Sequence, residues 1–267
     1  MLLCVDLDGV VYRGDEPVPG VGPLLSRRVA AGDTVVYVTN NSFIRRAEYR
    51  ARIESCGAPF DPRLIVTAAS AVAAHLVAAG ARRVLVHGAS GLADELRDAG
   101  LETRRPAEFD TPAALAAWAP DSVTVGLDRE ARWRDLALAA DAVRAGARLV
   151  VPNRDATYPD PGRLVPGTGA AVAALEAATG VPATVLGKPA PDLLRRAAEV
   201  AGLPLAQAVM IGDSPDTDIA AARAAGCRSI LLLTGVTAAA DELSPERRPT
   251  RTVRDAVELA AAIEALR

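Results

Sequence analysis

Four short polar clusters in this chain each follow directly on an apolar run. They are Asp6-Leu7-Asp8-Gly9-Val10 after Leu2–Val5, Thr39-Asn40-Asn41-Ser42 after Thr34–Val38, Gly187-Lys188-Pro189 after Val185-Leu186, and Gly212-Asp213-Ser214-Pro215-Asp216-Thr217-Asp218 after Ala208–Ile211. Together they offer carboxylates for nucleophilic, acid–base or metal-ligating work, amide and hydroxyl donors for an anion, and one ammonium group. That ammonium is singular: of 30 Lys+Arg residues, Lys188 is the only lysine. An ammonium is a compact point charge and a guanidinium a planar fork, so a lone lysine in an arginine-rich chain marks a place where the fork does not serve. Taken singly, each cluster has a structural explanation. Aspartates at strand ends make turns, Thr39 to Ser42 could cap a helix beginning near Arg45, and Asp213 to Asp218 could cap the helix that follows. No such explanation accounts for all four falling at strand ends at once.

The elements that must position these groups are legible as an alternation of two patterns. Short β-rich runs, Leu2–Val5, Thr34–Val38, Val84–Val86, Val123–Val125, Arg148–Val151, Ala208–Ile211 and Ser229–Leu233, alternate with alanine-rich helical stretches at 45–56, 133–145, 169–179, 191–201 and 217–225. Gly57, Gly146, Gly180, Gly202 and Gly226 stand where those helices should close. Strand–helix alternation with short connections predicts an α/β fold with mainly parallel sheets. In such a sheet the strand C-termini share one rim, where ligands bind, so residues distant in sequence can meet there.

At 267 residues the chain is long enough for one large domain or a core with an insert. A net charge of −3 argues against nucleic acid or anionic membrane as main partner. The longest uncharged apolar stretch, Thr67–Ala81, falls short of the roughly 18–20 residues a membrane span needs. Asp6 and Asp8 interrupt the N-terminal apolar run, which is therefore no signal peptide. Cys4, Cys56 and Cys227 form no CxxC pair, and a reduced, cytoplasmic setting fits them. With only His75 and His87, a histidine-rich metal site is excluded. His87-Gly88-Ala89-Ser90-Gly91 lacks the spacing of a nucleophile elbow, and Pro182 and Pro189 spoil any P-loop around Lys188.

The four clusters, in this order, resemble the motifs of the haloacid dehalogenase (HAD) superfamily of phosphatases. The fuller strings Val38-Thr39-Asn40-Asn41-Ser42, Gly187-Lys188-Pro189 and Gly212-Asp213 through Ile219 resemble its nitrophenyl-phosphatase branch, which includes phosphoglycolate, glycerol-phosphate and pyridoxal-phosphate phosphatases. The resemblance covers essentially the whole chain. It implies a Rossmann-like core at 1–79 and 182–267 with an α/β cap inserted at 80–181, and hydrolysis of a small phosphate monoester. It further implies that Asp6 is the nucleophile, that Asp8 is the acid–base, and that Thr39, Asn40, Asn41 and Lys188 hold the phosphoryl oxygens, with Gly212 and Asp218 supporting them.

Asp6, Asp8, Asp213 and Asp218 would bring up to four negative charges together, and a phosphate adds about two more against one lysine. A divalent cation is then required, and oxygen ligands favour Mg²⁺. Its expected ligands are the carboxylates of Asp6 and Asp213 and, by resemblance, the backbone carbonyl of Asp8. Within the cap, Gly126-Leu127-Asp128-Arg129 and the stretch from Asn153 to Tyr158 are unusually polar. The second reads as a loop, and by resemblance Asn153, Asp155 and Tyr158 would face the leaving group. A phosphoryl or glycosyl transferase using the same metal site is the alternative, though glycosyl transfer leaves Lys188 and Asp213 unexplained. A non-catalytic phosphometabolite-binding protein is disfavoured because no motif residue is missing. In the family this chain resembles, phosphonate hydrolysis needs an additional cap lysine for a Schiff base, and this chain has none. A homodimer is compatible with the sequence.

Overall fold

A computed structural model describes residues 1–160, 162–237 and 243–267. The chain forms two compact units, one of residues 1–39, 46–67 and 188–267, the other of residues 40–45 and 68–187.

The first unit is built on a six-stranded sheet in the spatial order Arg251–Val253, Arg228–Leu232, Ala208–Gly212, Leu2–Val5, Thr34–Thr39, Ile65–Thr67. Every neighbouring pair is parallel. Numbered along the chain this is order 6-5-4-1-2-3, a doubly wound sheet whose order reverses between Leu2–Val5 and Ala208–Gly212. Leu2, Leu3, Cys4 and Val5 are all fully buried, so the central strand is apolar on both faces, as a parallel strand covered by helices must be. The helix Asp192–Ala201 packs on the strands Thr34–Thr39, Leu2–Val5 and Ile65–Thr67, burying Leu193, Leu194, Ala197 and Ala198 along one stripe.

The second unit carries a five-stranded parallel sheet in the order Thr184–Val185, Arg148–Val151, Ser122–Val125, Arg83–His87, Glu102–Arg104. Its order reverses between Arg83–His87 and Ser122–Val125. Val123, Val125, Leu138, Leu149, Val151, Val172 and Leu175 form its core with little aromatic help, as a composition of 3% aromatics dictates. The helix Ala68–Ala78 belongs to this unit and packs on the helix Ser90–Asp98. The unit thus extends beyond the span 80–181 on both sides.

Each of the five glycines expected at helix ends has positive φ, between 63° and 108°. Three local readings change. The stretch 45–56 is a 3₁₀ turn, Arg46–Tyr49, running into the helix Arg50–Ser55. The stretch 217–225 is the end of a π-helical turn, Pro215–Ile219, continued by Ala220–Ala225. The region after Asn153 is a β-hairpin, Thr157–Asp160 against Arg163–Pro166, rather than a loop. Among the described residues no helix is long and apolar enough to cross a membrane.

Candidate active site

The switch point of the first sheet is where the chemistry gathers. Asp6 leaves the end of Leu2–Val5 with its amide donating to the Ile211 carbonyl at 2.9 Å, which ties it to the neighbouring strand. On that strand, Gly212 leads into Asp213 and the turn that carries Asp218. Asp6, Asp213 and Asp218 are buried, and each offers a carboxylate oxygen within 4.8 Å of the other two.

Lys188 reaches this group although the strand before it, Thr184–Val185, belongs to the other sheet. The expectation of four clusters on one sheet rim therefore holds at Asp6, Thr39 and Asp213. Lys188 arrives by way of a loop, and Asn40 to Ser42 belong to the second unit. Lys188 is 3% exposed, and its ammonium donates to Asp6 Oδ1 at 2.7 Å, Asp218 Oδ1 at 2.6 Å and the Val38 carbonyl at 3.3 Å. Three acceptors around one nitrogen match the three hydrogens of an ammonium; a planar fork cannot present its donors so.

Asp218 is fully committed. One oxygen takes Lys188, and the other accepts from the amides of Asp213 and Ser214, both at 3.1 Å. Of the three carboxylates it is thus the orienting one. Ser214, not Asp213, caps the turn, accepting from the Thr217 amide at 3.3 Å. Asp213 instead receives the Val236 amide on Oδ2 at 2.6 Å. Sequence reasoning missed this loop, and its only signal was Thr234-Gly235 after an apolar strand. Gly9, at φ +82°, lies so close that a Cβ there would sit 2.2 Å from Asp213 Oδ2.

The electrostatics follow from burial. Desolvation pushes the Asp6 carboxyl well above its usual range; Lys188 opposes this, while Asp218 and Asp213 add to it. Burial likewise pushes Asp213 up to about 6, against the Val236 amide and with the help of Asp218. Burial acts to strip the proton from Lys188, but Asp218 and Asp6 outweigh it and hold the ammonium charged. Two ionised carboxylates 4.8 Å apart repel by about 3.5 kcal/mol at an effective dielectric of about 20, and one ammonium cannot offset three such charges. The donor set is all oxygen, and Lys188 and Val236 each hold only one oxygen of Asp6 and Asp213. These residues fit a hard divalent cation.

Asp8 stands apart from the buried trio. Its side chain is exposed, yet the protein around it raises its carboxyl above the usual range, with Arg52 and then Lys188 opposing. Arg52 lies over the Tyr12 ring at 4.2 Å and bonds the Gly14 carbonyl. Neither residue carried a signal in the sequence.

Thr39 ends the strand Thr34–Thr39 and is buried. The other expected residues fall in the second unit. Asn41 Oδ1 accepts from the Phe43 amide at 2.8 Å. Asn153 is 5% exposed, Asp155 is exposed, and Tyr158 is half-buried on the hairpin with the Arg129 guanidinium 5.6 Å from its ring.

Comparison with known proteins gives the family. Residues 3–102 match the family model described as haloacid dehalogenase-like hydrolase, and residues 185–259 match a HAD-hydrolase-like model. The D-glycerol 3-phosphate phosphatase of Mycobacterium tuberculosis is 41% identical over 253 residues, which are 93% of this chain and 67% of that protein. This chain belongs to the haloacid dehalogenase-like hydrolases. The acid sugar phosphatase of Staphylococcus aureus is 31% identical to the hydrolase over 97% of its length and 96% of its own. The crystal structure of the M. tuberculosis glycerol phosphate phosphatase with magnesium superposes with a TM-score of 0.84 at 38% identity, covering 97% of the hydrolase and 76% of that chain. A second structure of that phosphatase holds calcium. The hydrolase is a phosphoric monoester hydrolase, and its relatives act on small phosphate esters.

Proposed function

We propose that the enzyme hydrolyses a small phosphate monoester, of the glycerol phosphate, phosphoglycolate, sugar phosphate or pyridoxal phosphate type, with Mg²⁺ as cofactor and an aspartyl-phosphate intermediate. The observation that carries this reading is the Lys188 ammonium held between Asp6 and Asp218, with Asp213 in the same 4.8 Å cluster. Bound Mg²⁺ would supply the positive charge that lets a phosphate dianion approach three carboxylates. Asp6 and Asp213 would hold it, with the Asp8 carbonyl as a further ligand.

An oxygen of Asp6 attacks phosphorus as the bond to the leaving oxygen breaks, and Asp8 passes its proton to that oxygen. The raised Asp8 carboxyl suits it to carry a proton at this stage. Asp8 then takes a proton from water as the water oxygen bonds phosphorus and the Asp6–phosphorus bond breaks. Lys188, Thr39 and the amides near Asn40 and Asn41 hold the phosphoryl oxygens throughout. Asp218 fixes Lys188. The 41% identity to a glycerol 3-phosphate phosphatase favours a polyol phosphate, with Asp155 and Tyr158 as candidates for the leaving-group side.

Phosphate release from a panel of glycerol 3-phosphate, phosphoglycolate, pyridoxal phosphate and sugar phosphates, with Mg²⁺ present, tests the reading. Wild type should turn over at least one and Asp6→Asn none. Appreciable turnover by Asp6→Asn would refute the assignment.

A further inference from the structure

We infer that Asn153, with Gly91 and Gly187, is a positioning residue for the phosphoryl-binding segment at Asn40–Asn41 rather than a contact to the leaving group. This deepens the functional reading above and rests on it.

Residues 40–45 belong to the second unit, while the chain on either side, to Thr39 and from Arg46, belongs to the first. Specific contacts explain why. Asn153 Nδ2 donates to the Asn40 carbonyl at 2.9 Å, and Asn153 Oδ1 accepts from the Asp155 amide at 3.2 Å. With 5% exposure, the Asn153 amide is spent on the protein's own backbone. Gly187 lies against the same residue: a Cβ there would be 2.1 Å from the Pro152 carbonyl oxygen and 2.7 Å from Asn40 Oδ1. Further along, a Cβ on Gly91 would be 2.1 Å from the Phe43 carbonyl oxygen. Arg45 closes the segment by an ion pair with Asp98.

These contacts come from the C-terminal ends of the strands Arg148–Val151 and Thr184–Val185 and from the helix that follows Arg83–His87. Doubly wound sheets take ligands at that rim. Here the rim seats a piece of the chain itself.

The consequence for chemistry comes from peptide geometry. A trans peptide is planar, with its carbonyl and its N–H pointing in opposite directions. The carbonyl that Asn153 holds is that of the Asn40–Asn41 peptide, so the same bond aims the Asn41 N–H away from Asn153. Donors that stabilise a transferring phosphoryl group act through fixed direction, and a shift of about 1 Å can cost about 100-fold. Asn153 therefore acts through the backbone it orients.

Asn153→Asp keeps the size and the acceptor for the Asp155 amide but sets a carboxylate oxygen against the Asn40 carbonyl. Gly91→Ala presses on the same segment from its far end. Turnover of p-nitrophenyl phosphate and of glycerol 3-phosphate, with inhibition by orthophosphate, would be measured in Mg²⁺ with the full chain. Both variants should weaken orthophosphate about tenfold or more, the loss of one well-made polar contact. Both should also lower kcat/KM for the two esters by the same factor, within about threefold, because the phosphoryl group is common to both. Unchanged orthophosphate affinity, or losses confined to one leaving group, would overturn the inference. Should the buried carboxylate prevent folding, Asn153→Ser removes the donor to Asn40 and is read by the same criteria. If wild type released no phosphate from any ester, the functional reading would fail, while orthophosphate binding followed by calorimetry would still decide the positioning role.

Discussion

Replacing Lys188 by arginine keeps the charge and changes only its shape, which makes it the sharpest probe of the site. The ammonium sits 2.6 and 2.7 Å from two carboxylates and 3.3 Å from the Val38 carbonyl, at 3% exposure. A guanidinium is longer and flat, so it must push Asp6 or Asp218 aside or leave one acceptor unpaired. Overpacking of a buried position costs about 1–3 kcal/mol of stability, which a domain of ordinary stability survives. Displacing Asp6, the proposed nucleophile, by about 1 Å costs about 100-fold in turnover. Lys188→Arg should therefore remain folded by urea titration and circular dichroism, with kcat for p-nitrophenyl phosphate at saturating Mg²⁺ reduced about 100-fold. A folded variant with kcat within about threefold of wild type would show that charge alone suffices, and the tripod argument would be wrong.

Three other outcomes are expected. Mg²⁺ at 100 times its Kd should stabilise the protein by about 2.7 kcal/mol, read as a rise in Tm. With Asp213 pushed up to about 6, the cation competes with a proton as pH falls through that value, so the shift should shrink between pH 7.5 and about 5.5 and vanish in Asp213→Asn. His87 is 4% exposed, and burial lowers its pKa against the pull of Asp128 and Asp135. The unfolded chain thus binds a proton that the fold refuses, and stability should fall as pH drops through about 6.5. His87→Phe should flatten that limb in urea titrations, and an unchanged slope would exonerate His87. Gly9→Ala, at φ +82° and in the path of Asp213, should cost about 1–2 kcal/mol from backbone strain alone and should abolish the Mg²⁺-induced rise in Tm.

The core of the site was legible because apolar strands stop abruptly at their polar ends, and Asp6, Thr39 and Asp213 stand at those stops. Asp6 and Asp213 were expected as ligands with Asp218 in support, but the bonds by which Asp218 gives that support were not legible. That Asp218 spends one oxygen on Lys188 and the other on two amides depends on how a π-helical turn wraps, which residue types do not disclose. The hairpin after Asn153 was hidden by Tyr158-Pro159-Asp160 and Pro166, residues that disfavour strands elsewhere. The helix Ala68–Ala78 was missed because a nearly uniform apolar run has no period to read. Its packing on Ser90–Asp98 also carries the second unit back past Gly80, and no composition shift marks that boundary.

The sheet register has a consequence for the order of events during synthesis. Leu2–Val5 pairs on one side with Thr34–Tyr37, which follows at once, and on the other with Ala208–Ile211. At about 5–20 residues per second, the ribosome delivers that second partner roughly 10–40 s after the first strand. Until then an apolar strand, destined to be covered on both edges, has one edge without its neighbour, and Asp6 has no Asp213 beside it. Over that interval the open strand edge is a template for pairing with another chain, so aggregation is most favoured before Ala208–Ile211 arrives.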